Sequence, residues 1–174
     1  MKDKAPIAPV TVRMATVDDV ELLHRFSVDL ATYEDEPDAV TASPQSLARH
    51  GFGKQPQFAA LIAERGGAPV GFVLYTFNYS VWTAARGIFI EDMWVVPEER
   101  RGGVARALMQ ALAQECVAKG YKRIDLNVLD WNPARAFYES LGFRWIRNWL
   151  PYASGPRASM VAIENKTGMV RAMV

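Results

Sequence analysis

The sequence Val96-Pro97-Glu98-Glu99-Arg100-Arg101-Gly102-Gly103-Val104-Ala105 joins an apolar strand to a long helix. Its two adjacent glycines let successive backbone N–H groups converge, and the N-terminus of the helix adds partial positive charge. Arg100, Arg101 and Arg106 add full charges. The pattern predicts a turn that binds phosphate or pyrophosphate. An ordinary strand-to-helix turn on a solvated basic face is the alternative, and spacing alone favours neither.

Hydrophobic spacing predicts the secondary structure on both sides of this turn. Apolar residues three or four apart indicate a helix over 104–119 that Gly120 ends. Three more helices are predicted, from Thr16 as N-cap to Tyr33, from Ser43-Pro44 to Gly51, and from Asn132-Pro133 to Gly142. Strands are predicted over residues 11–14, 58–64, 70–78, 88–96, 124–129, 143–149 and 160–164, with a turn at 65–69.

The order of these elements predicts one α/β (α+β) domain with a mixed sheet flanked by helices. The length of 174 residues fits this prediction, because a domain commonly takes roughly 100 to 200 residues. We expect a disordered lead-in over 1–10, the domain over 11–165 and a C-terminal tail over 166–174.

Composition argues against several classes of protein. The 20 Lys and Arg residues nearly cancel the 19 Asp and Glu residues, so bulk charge attracts neither nucleic acid nor an anionic membrane. A 50% hydrophobic content excludes intrinsic disorder. One cysteine and two histidines supply neither a disulfide nor a good metal site, and Cys116 is expected in the core. The chain has no apolar run long enough for a membrane helix and no signal peptide, so we expect a cytoplasmic location.

Residues 100–105 match the signature R/Q-x-x-G-x-G/A, and in this the sequence resembles the GNAT acyl-CoA N-acetyltransferases. Further matches, between residues 11 and 152, resemble the diamine (spermidine/spermine) acetyltransferase subgroup. They are Leu30-Ala31-Thr32-Tyr33-Glu34, Gly51-Phe52-Gly53, Tyr79-Ser80-Val81-Trp82, Ile90-Glu91-Asp92 and Asp130-Trp131-Asn132, with Phe137-Tyr138 and Gly142 following.

The resemblance implies a mostly antiparallel, twisted sheet and a homodimer that uses acetyl-CoA and no metal. It also implies that the primary amine of a small cationic substrate, such as a diamine, polyamine or lysine-like amino acid, attacks acetyl-CoA directly in a ternary complex. A peptide or protein N-acetyltransferase and a non-catalytic acyl-CoA-binding sensor are the alternatives. The residues assigned to the cofactor are Trp94, Val95, Val96, Arg100, Arg101, Gly102, Gly103, Val104, Ala105, Arg106, Asn132 and Arg135.

The same resemblance assigns two catalytic residues. A primary amine with a pKa near 10 is almost wholly protonated at pH 7, so a base must accept its proton. Glu91 has the position of this base, acting through water, and Tyr138 has the position of the acid that protonates the leaving thiolate. Without the resemblance, Tyr138 is better interpreted as a packed aromatic beside Phe137.

The substrate residues implied by the resemblance are Tyr33, Glu34, Trp82, Asp92 and Trp149. Acidic and aromatic side chains suit a cation through charge and cation–π contact. A solvated strand carboxylate is the alternative for Asp92, and core packing is the alternative for Trp149.

Two departures from the subgroup bear on these assignments. Ser80 stands where the diamine enzymes tend to carry an acid, and Arg86 lies in the same loop, which predicts a weaker hold on a long polycation. The spacing from Asn132 to Tyr138 is one residue shorter than usual. Because one residue turns a helix by about 100°, we expect the loop before the helix to absorb the difference.

Overall fold

Strands and helices both contribute to the computed structural model, which describes residues 8–129, 131–145, 158–165 and 170–172. The α-helices are α1 (Val20–Tyr33), α2 (Pro44–Phe52), α3 (Val104–Ala118) and α4 (Ala134–Ser140). The strands are β1 (Val10–Met14), β2 (Phe58–Arg65), β3 (Ala68–Ser80), β4 (Ala85–Val95), β5 (Arg123–Leu129), β6 (Arg144–Trp145), β7 (Ala158–Asn165) and β8 (Val170–Ala172). This order confirms the predicted α/β class.

The chain forms two compact units, and β3, β4 and α3 each run from one unit into the other. The first unit comprises residues 1–74 and 92–111, described from residue 8 onward. In this unit β1 pairs antiparallel with β2, with Val10 opposite Arg65 and Met14 opposite Leu61. The strand order continues through β3 to β4.

The core of the first unit lies between α1 and the strands. Leu23 and Phe26 of α1 are buried, and the ring of Phe26 lies 5.6 Å from that of Phe72 on β3. Burial of one such side chain stabilises a fold by roughly 1.5–3 kcal/mol, so this apolar face holds α1 in place. The other buried members of the core are Ala15, Phe58, Ala60, Ile62, Leu74 and Trp94.

A two-residue turn connects β2 to β3. Gly66 and Gly67 have φ angles of 59° and 81°, the left-handed region that a type I′ hairpin turn requires at both central positions. The predicted turn at 65–69 is thus confined to two glycines, and Arg65 belongs to β2.

The second unit comprises residues 75–91 and 112–174, in its described part. Here β4 pairs in parallel with β5, with Ile88 opposite Ile124. β5 pairs antiparallel with β7, which also pairs antiparallel with β6 and β8. The sheet is therefore mixed, as predicted.

The second unit contains a buried carboxylate, that of Asp125. Asp125 is only 4% exposed, and its Oδ2 accepts a 2.8 Å hydrogen bond from Asn78 and lies 2.8 Å from Nε of Arg123. Burial raises the pKa of Asp125, and the contacts with Asn78 and Arg123 oppose this shift. Cys116 is also buried here, which raises the pKa of its thiol to about 11 and agrees with the core role expected from the sequence.

Several predicted boundaries differ from the structure. A short 3₁₀ turn over Val17–Asp19 precedes α1, so Thr16 caps that turn rather than the α-helix itself. The helix α2 continues past Gly51 to Phe52. Gly51 is required there by packing, because a Cβ would lie 2.3 Å from the ring of Phe58.

Element boundaries from β4 onward also differ from the predicted ones. β4 ends at Val95, and the N–H of Val96 donates instead to the carbonyl of Val70 at 3.0 Å. Within the predicted tail at 166–174, Val170–Ala172 forms β8. The predicted strand at 143–149 extends beyond the described residues, and Trp149 lies outside them.

Candidate functional site

The predicted phosphate-binding turn lies in the first unit, between β4 and α3. A 3₁₀ turn over Pro97–Glu99 follows β4, and then Arg101 and Gly103 adopt left-handed φ angles of 64° and 84°. Arg101 adopts this conformation without being glycine, which is uncommon. α3 begins at Val104, and the first N–H groups of a helix have no acceptor within it. This backbone and the exposed Arg101 and Arg106 fit a pyrophosphate group.

The side chain of Arg100 contacts two aromatic rings and a backbone carbonyl of the protein. The carbon at the centre of its guanidinium lies 4.6 Å from the ring centroid of Trp94 and 4.8 Å from that of Tyr33. Its Nε donates a 3.1 Å hydrogen bond to the carbonyl of Val95. The Tyr33 ring, which the sequence assigns to a cationic substrate, is therefore already in contact with a cation of the protein. Phosphate binding by Arg100 stays a prediction.

The end of β4 lies very close to β3. A Cβ on Gly71 would lie 2.7 Å from the carbonyl oxygen of Trp94, a distance that side-chain carbons do not tolerate. Gly71 thus allows the two strands to approach at Trp94 and Val95. These two residues are among those that the family resemblance assigns to the cofactor.

Two acidic residues of the first unit are brought together. Asp92 on β4 is half-buried, and its Oδ2 accepts a 2.8 Å hydrogen bond from the hydroxyl of Ser27 on α1. Glu34, which follows α1, is also half-buried. Burial raises the pKa of Glu34, and the nearby charge of Asp92 raises it further. Asp92 is a hydrogen-bond partner rather than a solvated strand carboxylate.

Sequence reasoning did not identify Ser27. A polar residue of an amphipathic helix usually faces solvent, so serine by itself indicates no buried contact. A signal did exist, since Ser27 lies four residues after Leu23 and three before Leu30, on the same helix face and not on the opposite polar face.

Glu91 directly precedes Asp92 in the sequence and belongs to the second unit. Its side chain is exposed, and Oε1 accepts a 2.8 Å hydrogen bond from the hydroxyl of Thr76 on β3. Consecutive residues of a strand point to opposite faces of a sheet. The structure therefore gives the two carboxylates different partners, Thr76 for Glu91 and Ser27 for Asp92.

Trp82 lies in the turn between β3 and β4 and is 86% exposed. The hydroxyl of Ser80 accepts a 3.3 Å hydrogen bond from the N–H of Thr83, and Ala84 has a left-handed φ of 48°. Ser80 therefore stabilises the turn that carries Trp82.

Tyr138 lies in α4 and is buried, at 6% exposure. Its ring is 5.4 Å from Phe137 and 5.5 Å from Phe143. The burial agrees with the packed-aromatic interpretation, while the role of its hydroxyl in catalysis stays a prediction.

Asn132 and Arg135 lie at the start of α4, also in the second unit. Oδ1 of Asn132 accepts a 2.9 Å hydrogen bond from the N–H of Ala134, so Asn132 caps this end of the helix. Nε of Arg135 lies 3.2 Å from Glu139 one helical turn later. Their contact with the cofactor stays a prediction.

The described residues contain no group of three or more His, Cys, Asp or Glu side chains that could hold a metal ion. Among the same residues, no helix is long and apolar enough to span a membrane.

The acetyltransferase (GNAT) family matches residues 22–143, and the chain belongs to this family. It is an N-acetyltransferase that depends on acetyl-CoA. The chain is 37% identical over 147 residues to the thialysine N-epsilon-acetyltransferase of Sus scrofa, an alignment that covers 79% of this chain and 86% of that protein. It is 30% identical over 139 residues to the spermidine/spermine N(1)-acetyltransferase-like protein 1 of Homo sapiens, which covers 75% of this chain and 20% of that protein.

A solved structure shares the fold. The complex of Arabidopsis thaliana NAA60 with acetyl-CoA superposes with a TM-score of 0.68, covers 90% of this chain and 98% of its own, and is 16% identical in sequence. At this identity the likeness concerns the fold alone. Together with the family match, it bears out the predicted GNAT-type domain.

Proposed function

We propose that this protein transfers the acetyl group of acetyl-CoA to the primary amine of a small cationic substrate, a diamine, a polyamine or a lysine-like amino acid. The observation that carries the proposal is the half-buried pair of carboxylates, Glu34 and Asp92, in the first unit. Two carboxylates that repel each other away from bulk water are stabilised by a bound cation. The similarity to a thialysine N-epsilon-acetyltransferase supports the same substrate class.

The chemistry requires three tasks of the protein. The substrate ammonium must lose a proton, and Glu91 accepts it through water. The free amine then attacks the thioester carbonyl, and the backbone N–H groups at Trp94 and Val95 stabilise the oxyanion that forms. When the C–S bond breaks, the phenol of Tyr138 gives its proton to the CoA thiolate, and the second proton lost from the attacking nitrogen returns to the tyrosinate. The products are the acetylated amine and CoA.

Each part of the cofactor has residues proposed for it. The pyrophosphate binds to the N–H groups of the turn at 101–105 and to Arg101 and Arg106, which are exposed beside it. Asn132 and Arg135 are proposed to contact the remainder of the cofactor.

The amine is proposed to bind through Glu34 and Asp92, with Tyr33, Trp82 and Trp149 as aromatic contacts. Tyr33 is in contact with Arg100, so its role for the substrate is to line the site beside this arginine.

The experiment that tests this function measures CoA thiol release with a panel of amine acceptors. Diamines, polyamines, lysine, thialysine, aminoglycosides and a peptide with a free N-terminus are compared with uncharged and anionic amines. Small cationic amines are expected to give the highest kcat/KM. A preference for an uncharged or anionic acceptor would contradict the proposal. CoA binding without transfer to any amine would favour a sensor, and preference for the peptide would favour a protein N-acetyltransferase.

We also propose that the protein acts as a cytoplasmic homodimer. Tyr79, Val81 and Trp82, which lie at or beside the turn between β3 and β4, expose large apolar side chains, and such clusters often mark protein contacts. Sedimentation equilibrium of the purified protein tests the dimer, and imaging of a fluorescent fusion tests the location.

A further inference from the structure

Arg65, at the end of β2, contacts the phosphate-binding turn. Its Nε donates a 2.7 Å hydrogen bond to Oε2 of Glu99, and its Nη2 donates a 2.8 Å bond to the carbonyl of Gly102. Its Nη1 donates to the carbonyl of Ala8. The side chain is only 13% exposed, so the guanidinium is largely buried in the first unit, where it contacts the turn.

The contact with Gly102 sets the direction of one peptide group. In a trans peptide the carbonyl of one residue and the N–H of the next point in opposite directions. Because Arg65 holds the carbonyl of Gly102, the N–H of Gly103 points away from Arg65. Gly103 is the glycine with the left-handed φ of 84°, and its N–H is one of the donors that the turn offers to an anion.

The space at Gly102 provides a second, independent observation. A Cβ on Gly102 would lie 3.0 Å from Nη2 of Arg65 and 3.0 Å from the carbonyl oxygen of Glu99. Gly102 does not have a left-handed φ, so backbone conformation does not require glycine here. The lack of a side chain at Gly102 instead allows Arg65 to approach the turn.

The contact with Glu99 compensates a charge. Glu99 precedes the two arginines of the turn, and its carboxylate would repel a pyrophosphate bound nearby. The ion pair with Arg65 at 2.7 Å neutralises this carboxylate and holds it against β2.

We propose that Arg65 is a positioning residue for the pyrophosphate of acetyl-CoA, which fixes the peptide between Gly102 and Gly103 and neutralises Glu99. Arg65 acts through the turn and does not touch the cofactor. The proposal rests on the proposed function in one respect, that the turn at 100–105 holds the cofactor phosphates.

The test compares two acetyl donors. Acetyl-CoA contains the pyrophosphate, whereas acetylpantetheine has the same thioester without it. For Arg65→Gln we expect the KM for acetyl-CoA and the Kd for CoA by calorimetry to rise about tenfold, with kcat and the KM for acetylpantetheine unchanged. A general loss of structure would affect both donors alike.

Three further variants complete the design. Arg65→Lys keeps the charge but loses the forked geometry, so an intermediate rise of about threefold is expected. In Arg65→Gln/Glu99→Gln the unpaired carboxylate is gone, so part of the affinity for CoA is expected to return. Arg13→Gln is the matched control, because Arg13 also bonds Glu64 and Asp19 in this unit but does not contact the turn.

Unchanged CoA affinity in Arg65→Gln, or an equal loss for both donors, overturns the proposal. If Arg65→Gln does not fold, Arg65→Lys decides in the same way. Failure of the proposed function is a separate outcome, because it would be seen in the wild-type protein, as a preference for another class of acceptor or as CoA binding without transfer, and not in the comparison of the two donors.

Discussion

The hydroxyl of Ser27 donates a 2.8 Å hydrogen bond to Oδ2 of Asp92 and so joins α1 to β4 across 65 residues of sequence. The same helix is followed by Glu34, whose pKa responds to the charge of Asp92. The position of the Asp92 carboxylate therefore depends on the uncharged side chain of Ser27.

Ser27→Ala removes the donor that orients Asp92. We expect the KM for the amine to rise about fivefold, because a hydrogen bond to a charged group is worth roughly 1 kcal/mol or more. The KM for acetyl-CoA should not change, and steady-state kinetics with each substrate varied measures both. Ser27→Thr keeps the hydroxyl and is the control. Equal amine KM values in wild type and Ser27→Ala would show that Asp92 needs no such support.

Glu34 should make amine binding pH-dependent. Its pKa is raised above the ordinary 4.5, mainly by burial and then by Asp92, so it takes up a proton earlier as the pH falls. Below that point it is neutral, and the KM for the amine should rise. Glu34→Gln should give a high KM that is flat over the same pH range, whereas Glu36→Gln, at an exposed neighbour, should behave as wild type.

The same shift predicts a change of stability. A carboxyl with a raised pKa stabilises the fold below its unfolded pKa, and this contribution is lost as the pH rises through the folded pKa. At pH 7 the half-buried charge of Glu34 is therefore unfavourable, and Glu34→Gln should have a higher Tm than wild type. A lower Tm at pH 7 would mean that an ionic partner holds Glu34 in its charged form.

Tyr138→Phe should separate catalysis from packing. The phenyl ring retains the contacts with Phe137 and Phe143, so the Tm and the Kd for CoA should stay close to wild type. Loss of a general acid typically reduces the rate about 10²-fold, which we expect for kcat. Tyr121→Phe, at a tyrosine that packs 5.9 Å from Phe77, is the control. A wild-type kcat in Tyr138→Phe would assign the proton to another donor.

Ser80→Asp tests the departure from the diamine acetyltransferase pattern. An aspartate can accept the N–H of Thr83 as Ser80 does, so the turn should be retained. Its charge should lower the KM for a polyamine a few-fold relative to that for a monoamine. Gln114→Glu adds the same charge on an exposed position of α3 and should leave this ratio unchanged.

Much of the fold was predictable because its determinants are local. The helix over Val104–Ala118 follows from apolar spacing and Gly120, and the β2–β3 hairpin follows from adjacent glycines. Predicted boundaries were wrong where packing was decisive. Gly51 was predicted to end α2, but it lies inside this helix, where its lack of a side chain leaves room for the ring of Phe58.

The candidate site was predictable in its residue types but not in its contacts. The glycines and arginines of residues 100–105 indicate an anion site by pattern. The pattern does not show that Arg100 contacts Tyr33 of α1, or that Arg65 of β2 contacts Gly102. The left-handed φ of Arg101 had no sequence signal either, because that conformation favours glycine.

The parallel pairing of β4 with β5 has a consequence for the order of folding. The β2–β3 hairpin closes over two glycines, whereas Ile88 meets Ile124 only after the intervening chain, with α3, has been brought back. Pairing across so long a loop is slow, because its entropy is lost before its contacts form. We expect Ile62→Val in β2 to slow refolding, and Ile124→Val mainly to speed unfolding, in stopped-flow measurements. The reverse assignment would place the β4–β5 pair in the folding nucleus, and the hairpin would then complete its packing last.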